Sequence, residues 1–289
     1  MLTILFDGLA YGMLLFVMAV GLAITLGLMN FINLAHGAFA MAGGYLTVVL
    51  MQRYGVPFLA CLPIAFLAVG LLGAVLERTL YRPMYRKPHL DQVLFSIGLA
   101  FMAVAGVDYV MGSSQQNMQL PDWLRGRTEW GSEAWLLGMG HYRLFIMGVC
   151  AVLTVLLQWV LVRTRFGSRL RAAVDDPVVA SGLGIHVNRI FLLTFAVGSG
   201  LAGLGGALSA ELLSMEPSFP LKYMIYFLIV VAVGGTSSIS GPLLAALLLG
   251  VADVAGKYYI PKLGGFIVYS LMLVILLWRP SGLFVRGKT

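Results

Sequence analysis

Long apolar runs separated by short polar stretches occupy this chain from end to end. A helix that crosses hydrocarbon about 30 Å thick needs roughly 20 mainly apolar residues, because each adds about 1.5 Å. Stretches 4–28, 35–51, 56–76, 93–111, 144–162, 190–213 and 265–278 meet or nearly meet that length. An eighth region, 223–260, is too long for one crossing and is interrupted by Gly234-Gly235-Thr236-Ser237-Ser238-Ile239-Ser240-Gly241-Pro242. It reads as a short helix, a polar break and a second helix. The pattern predicts an all-α membrane protein, a polytopic bundle of eight or nine transmembrane segments that forms one domain over residues 1–289.

Composition sharpens this. Hydrophobic residues make up 60% of the chain and charged residues 11%, too little polar material for a water-facing shell. The two cysteines, Cys61 and Cys150, both fall in apolar runs with no pairing framework and no metal spacing. The first apolar run has no Lys or Arg ahead of it and carries Asp7, so the first helix is expected to be retained rather than cleaved.

The net charge of +7 reads mainly as a topology signal, and nucleic-acid binding is not expected. Loop 77–92 holds Arg78, Arg82, Arg86 and Lys87, and loop 163–189 holds Arg163, Arg165, Arg169, Arg171 and Arg189. The tail adds Arg279, Arg286 and Lys288, so these three regions carry twelve of the nineteen basic residues and are placed in the cytoplasm. Loop 112–142 has Arg125 and Arg127 against Asp122, Glu129 and Glu133, with Trp123, Trp130 and Trp135 suited to an interface. It is placed outside. Alternation from these anchors puts the N-terminus outside and the C-terminus in the cytoplasm.

Small residues mark where helices touch. Gly198, Ala202 and Gly206 lie four apart on one helix face, and Ser199, Gly203 and Ala207 form a parallel row. Such rows let backbones approach closely where lipid provides no hydrophobic drive for association. Helix packing is the plain reading, and a place in a transport pathway is the alternative.

Loop 163–189 contains the most informative local signal. Asp176 suits an N-cap, Pro177 suits the first helical position, and Gly182 or Gly184 can end a helix in a left-handed conformation. A short helix of about two turns results, with Val178, Val179 and Leu183 to present. It is either a connector resting on the membrane surface or a knob for a partner's groove. The residues alone leave both open.

Arg171-Ala172-Ala173 through Asp176-Pro177 to Gly184-Ile185 resembles the coupling loop of ABC-transporter permeases, above all the LivH-type branched-chain amino acid permeases. Asn30-Phe31-Ile32-Asn33-Leu34-Ala35-His36-Gly37, followed by Met41 and Gly43-Gly44-Tyr45, is similar to that family's first helix junction. The Gly234–Pro242 break, Glu77-Arg78 with Tyr81-Arg82-Pro83, and the tail Arg279-Pro280-Ser281-Gly282-Leu283-Phe284 agree with it as well. Two departures stand out: Arg171 occupies the place of a Glu in the general coupling loop, and Ile239-Ser240 makes the break richer in hydroxyls.

The resemblance implies a type II ABC-importer-like permease working by ATP-driven alternating access. Its implied partners are a second related permease, two cytoplasmic ATPase subunits and an extracytoplasmic substrate-binding protein. The implied site in a bacterial inner membrane has Arg171, Ala172, Ala173, Asp176, Pro177, Val178, Val179 and Gly184 coupling to the ATPase. Branched-chain amino acids are the implied cargo, with urea, short amides and aromatic acids carried by similar permeases. The alternative is a self-sufficient channel or secondary carrier without ATPase partners.

Other polar groups were weighed for chemistry. Asn30, Asn33 and His36 would be costly facing lipid, so they belong against protein or water, as a bonded junction or as pathway lining. Gly37 and Gly43, with Gly234, Gly235, Ser237, Gly241 and Pro242 of the break, complete the candidate pathway set, since broken helices in transporters often border the route. Asp7, Asp108 and Glu211 fall near segment ends, while Asp253 lies deeper and four residues before Lys257, as an ion pair would require. No metal site is expected. The stretch Gly250 to Gly256-Lys257-Tyr258 superficially resembles a P-loop but has one residue too many and Tyr in place of Ser or Thr. No cofactor is expected on this chain, and ATP with magnesium would act on partner subunits, so the chain is not expected to be an enzyme. The basic loops predict that single cysteines placed at Arg86 and at Ser132 react with impermeant maleimide from opposite sides of the membrane. Labelling of both from outside would overturn the assigned topology.

Overall fold

A computed structural model describes residues 1–29, 31–132, 135–235, 238–279 and 282. Eleven α-helices appear among them: α1 (Leu2–Met29), α2 (His36–Tyr54), α3 (Phe58–Leu76), α4 (His89–Met111), α5 (His141–Arg163), α6 (Arg165–Asp175), α7 (Pro177–Gly182), α8 (Val187–Ser209), α9 (Phe219–Gly234), α10 (Ser240–Tyr259) and α11 (Gly264–Trp278). Seven are long and apolar enough to cross a membrane: α1, α3 with its continuation, α4, α5, α8, α10 and α11. The expected spans at 35–51 and at the start of 223–260 correspond to α2 and α9. These lie in the same bundle but fall short of that criterion, α2 because polar residues dilute it and α9 because it has only 16 residues.

α8 is the hub. It packs against α1, α2 and α3, and it is buried along most of its length. Its small residues explain why. A β-carbon at Gly206 would overlap the carbonyl of Ala40 on α2, and one at Gly203 would press on Val69 of α3 at 2.6 Å. Gly198 faces the backbone of Gly21 on α1, and a β-carbon at Gly43 of α2 would overlap Gly203. Both expected rows are therefore contact rows: the first meets α1 at Gly198 and α2 at Gly206, and the second meets α2 and α3 at Gly203.

A second crossing escaped the sequence reading. α1 and α10 meet where Gly8 faces Val251, Gly12 faces Ala246 and Leu247, and Gly250 faces the Gly12 backbone. The signal was Gly8 and Gly12 spaced four apart on α1. By contrast α4, α5 and α11 keep most of their surface exposed, with Leu94, Phe101, Val152, Leu156, Val274 and Leu277 pointing outward. An apolar exterior around a tightly packed interior suits a lipid solvent.

The bundle has two distinct ends. At one, an antiparallel hairpin, β1 (Arg127–Ser132) with β2 (Trp135–Gly140), caps the helices. The sequence reading did not anticipate it. The Gly138 N–H donates to Thr3 Oγ1 at 3.2 Å, and Gln116 and Met215 exchange backbone hydrogen bonds of 2.7 and 3.0 Å. At the other end α3 continues past Leu76 as a π-helical turn (Glu77–Tyr81) and a 3-10 turn (Arg82–Arg86). Here also lies α6, an amphipathic helix with Leu170 and Ala173 buried against Ile190. Within loop 163–189 the sequence suggests only the short helix after Asp176; the structure adds α6 ahead of it.

The packing generates a sharp contrast between glycines. Gly206→Leu and Ala202→Leu insert bulk where α8 meets backbone, with overpacking strain of about 1–3 kcal/mol or more. Folded yield in detergent should fall severalfold for both. Gly98→Leu, on an open face of α4 with no atom within 4 Å of its β-carbon position, should leave yield near wild type. Equal yields for all three variants would show that the α8 rows are not tight contacts.

Candidate coupling surface and pathway

The candidate coupling residues divide between two helices. Arg171, Ala172 and Ala173 belong to α6, and α7 follows at once. Asp176 is extended, with φ −150 and ψ 99, and its Oδ1 accepts from the N–H groups of Val178 at 2.9 Å and Val179 at 3.0 Å. Pro177 fills the first helical position, where a missing N–H costs nothing. Gly184 adopts φ +82, the left-handed conformation that lets the chain leave the helix and turn into α8. The expected caps are thus present, with Leu183 as the C-terminal cap residue.

The faces of these helices differ. Ala180 is buried and anchors α7, whereas Val178 is 81% exposed, Val179 57% and Leu183 76%. Ala173 is buried beneath α7 and does not reach that surface. The Arg171 guanidinium donates to the Leu161 carbonyl at the end of α5, so this arginine staples α6 to the bundle. Beside α7, a cavity of about 560 Å³ is lined by Glu77, Arg78 and Arg82 of the α3 continuation and by Ser181, His186 and Arg189. Both basic loops therefore meet at one end of the molecule.

The candidate pathway residues are placed in helix contacts. Asn33 is buried, and its Oδ1 accepts from the Tyr81 hydroxyl at 3.1 Å. Its Nδ2 has no partner among the described residues. His36 is buried, with Nε2 at 2.8 Å from the Met18 carbonyl, which requires the Nε2–H tautomer because a carbonyl only accepts. Gly37 lies against Pro220, so a β-carbon there would come within 2.9 Å of that backbone. In the break, Gly234 abuts Pro242 and Gly241, and Gly235 takes φ +76. Ser238 Oγ accepts from the Gly241 N–H at 3.3 Å, which caps the start of α10. Gly282 of the tail lies 3.0 to 3.1 Å, measured from its β-carbon position, from backbone atoms of Ala232, Val233 and Gly235. Asn30 and Ser237 lie outside the described residues, as do Thr236 and the tail beyond Gly282.

Two partners of the first junction went unnoticed in the sequence. Gln92 Oε1 accepts from the Ile32 N–H at 3.4 Å, while Ser96 Oγ accepts from Leu34 at 3.1 Å and donates to the Ile32 carbonyl at 3.3 Å. Tyr85 donates to the buried Glu77 carboxylate at 3.0 Å. Buried backbone groups outside a helix need such partners, since nothing in lipid replaces them. Gln92 and Ser96 at the start of an apolar run were the available signal. A further cavity of about 300 Å³ joins the coupling region to the break, with Arg171, Gly167 and Gln158 on one wall and Ser238, Ile239 and Ser240 on the other.

The comparisons with known proteins follow this geometry. The family model described as "Branched-chain amino acid transport system / permease component" matches residues 4–276. This chain belongs to that family. It is 28% identical over 300 residues to the high-affinity branched-chain amino acid transport system permease protein BraD of Pseudomonas aeruginosa, covering 98% of this chain and 95% of the relative. It is 25% identical over 307 residues to LivH of Escherichia coli K12, with the same coverage, and 28% identical over 295 residues to LivM of that strain, covering 94% and 68%. No solved structure matches. The chain is a multi-pass membrane protein of an ABC-transporter permease family, and its relatives are permease components.

The Asp176 cap predicts a local stability effect. Asp176→Ala removes the acceptor of two N–H groups, a loss of about 1 kcal/mol. Amide exchange at Val178 and Val179 should speed up about fivefold, while exchange in α8 stays unchanged. Unaltered exchange at those two amides would refute the cap.

Proposed function

We propose that this chain is one of two membrane subunits of an ATP-driven importer of branched-chain amino acids, and that α7 docks into a groove on a cytoplasmic ATPase subunit. The observation that carries the reading is the exposed apolar face of α7, Val178, Val179 and Leu183, on a helix capped at both ends. The basic loops that converge around it favour a cytoplasmic position, with the N-terminus outside and the C-terminus inside. ATP and magnesium are then used by the ATPases, and this chain is not itself catalytic. The similarity of the chain to both LivH and LivM supports pairing with a second, related permease. The names of the relatives favour branched-chain amino acids, leucine, isoleucine and valine, as cargo; an extracytoplasmic binding protein would deliver them.

Movement of the ATPases would reach the bundle through α7 and α6, and the route between the two permeases would open alternately to each side. Truncating a central apolar anchor removes on the order of 2 kcal/mol at an interface, and a buried unpaired charge removes more. Val179→Asp, confirmed to insert in the membrane, should lose co-purification with the ATPase and lower leucine uptake at least tenfold. Normal co-purification with normal uptake would make α7 a connector and favour a self-sufficient carrier.

A further inference from the structure

At the hairpin end, α1, α5, α9, α10 and α11 converge on a cavity of about 380 Å³. Small-molecule sites commonly fall at about 300–1,000 Å³. Asp253 forms its floor. This carboxylate is buried, with Oδ1 accepting from the Tyr226 hydroxyl at 3.2 Å and Oδ2 held by Lys257 Nζ at 2.5 Å. Both of its oxygens are thereby engaged by the protein. Lys257, in contrast, is paired on one side only and keeps 56% of its side chain open. On the opposite wall Arg143 is paired with Asp7.

The donor balance of this cavity is uneven. A lysine ammonium offers three N–H donors and an arginine guanidinium five, and each of these two cations is paired with one carboxylate. The lining therefore holds spare cationic donors, Lys257 Nζ among them. Lys222, paired with Glu216, also lines it, and the rest is aromatic and apolar: Tyr223 and Tyr269 flank Tyr226, with ring centroids 5.9 and 6.4 Å from it, beside Tyr11, Val254 and Leu212. A second cavity, of about 400 Å³, shares Asp7, Arg143 and Leu212 and extends beneath the hairpin, so the two spaces adjoin at the Asp7–Arg143 pair.

We infer that the cavity binds a small carboxylic acid with an apolar tail, amino acids included: Lys257 takes the carboxylate, the tyrosines receive the tail, and Asp253 positions the lysine. This rests on the importer reading and names where its cargo is first held by the membrane subunit. An aliphatic tail covers apolar and ring surface, and the carboxylate meets Lys257 in a site partly shielded from water, where a charge-assisted hydrogen bond is strong. The carboxylate is the anchoring group, because Lys257 offers it an open charged donor.

The test uses the full-length chain in lipid nanodiscs with radiolabelled L-leucine as probe. Unlabelled 4-methylpentanoate, which lacks the amino group, should displace leucine, and leucinamide, which lacks the carboxylate, should not. Lys257→Gln should raise the leucine Kd at least tenfold, and Lys257→Arg should hold it within about threefold, with thermal unfolding of each compared to wild type. Tyr226→Phe keeps the ring and should change Kd only a few-fold. No saturable leucine binding at millimolar concentration, equal displacement by leucinamide, or an unchanged Kd in Lys257→Gln would each overturn the site. Leucine uptake by the assembled transporter is measured in parallel. Uptake that persists with an unchanged KM in Lys257→Gln defeats the cavity and leaves the importer reading standing, whereas wild-type assemblies that import no amino acid defeat the importer reading itself.

Discussion

Backbone-to-backbone contact at α8 is the constraint on which the rest of the structure depends. In lipid, apolar side chains gain nothing by leaving solvent for another helix, so association rests on close packing and on shared polar groups. Gly198, Gly203 and Gly206 let three different helices approach α8 at once, at Gly21, Val69 and Ala40. The crossing of α1 and α10 at Gly8, Gly12 and Gly250 extends the same device to the other side of α1. α4 and α5, whose glycines meet open space, remain at the periphery with their long apolar side chains outward, and α11 also keeps most of its apolar surface outward.

Such packing leaves little room for irregular backbone, so each interruption carries its own polar support. The junction after α1 is held by Gln92 and Ser96 from α4 and by Tyr81 from the continuation of α3. The break between α9 and α10 is capped by Ser238 and covered by Gly282 of the tail. Those two places also carry the residues by which the chain resembles its family. Polar side chains there satisfy buried backbone first, and any place in a transport route would have to be compatible with that duty.

How much of this was legible depended on the range of the interaction. The caps of α7 are local chemistry, Asp-Pro at one end and Gly at the other, and they lie where the sequence placed them. The small-residue rows of α8 were equally local. α6 was not recognised because Leu170 and Ala173 are spaced among Arg165, Arg169 and Arg171, and the charge signal masked a helical apolar stripe. The hairpin at 127–140 has no tight two-residue turn signature of the Asn-Gly kind and stayed hidden. Asp253 with Lys257, one helical turn apart, was foreseeable; Asp7 with Arg143, on helices far apart in sequence, was not.

The position of α6 gives the short helix α7 its leverage. α7 alone has six residues, too few to hold a direction by itself. It is fixed by Ala180 below, by its direct continuity with α6 and by the left-handed turn at Gly184 into α8. α6 in turn is bonded through Arg171 to the end of α5 and packed through Leu170 and Ala173 on Ile190 at the start of α8. In the proposed coupling, a displacement applied to Val179 would be delivered to α5 and α8 together. α8 is clamped by glycine contacts to α1, α2 and α3, so under such a displacement it would respond as a rigid rod rather than by local bending. The cavity between α6 and the α9–α10 break lies directly beside this linkage, with Arg171 on one wall and Ser238 and Ser240 on the other. Space thus lies between α6 and α10, where the proposed movement needs it, and close packing lies between α8 and its neighbours.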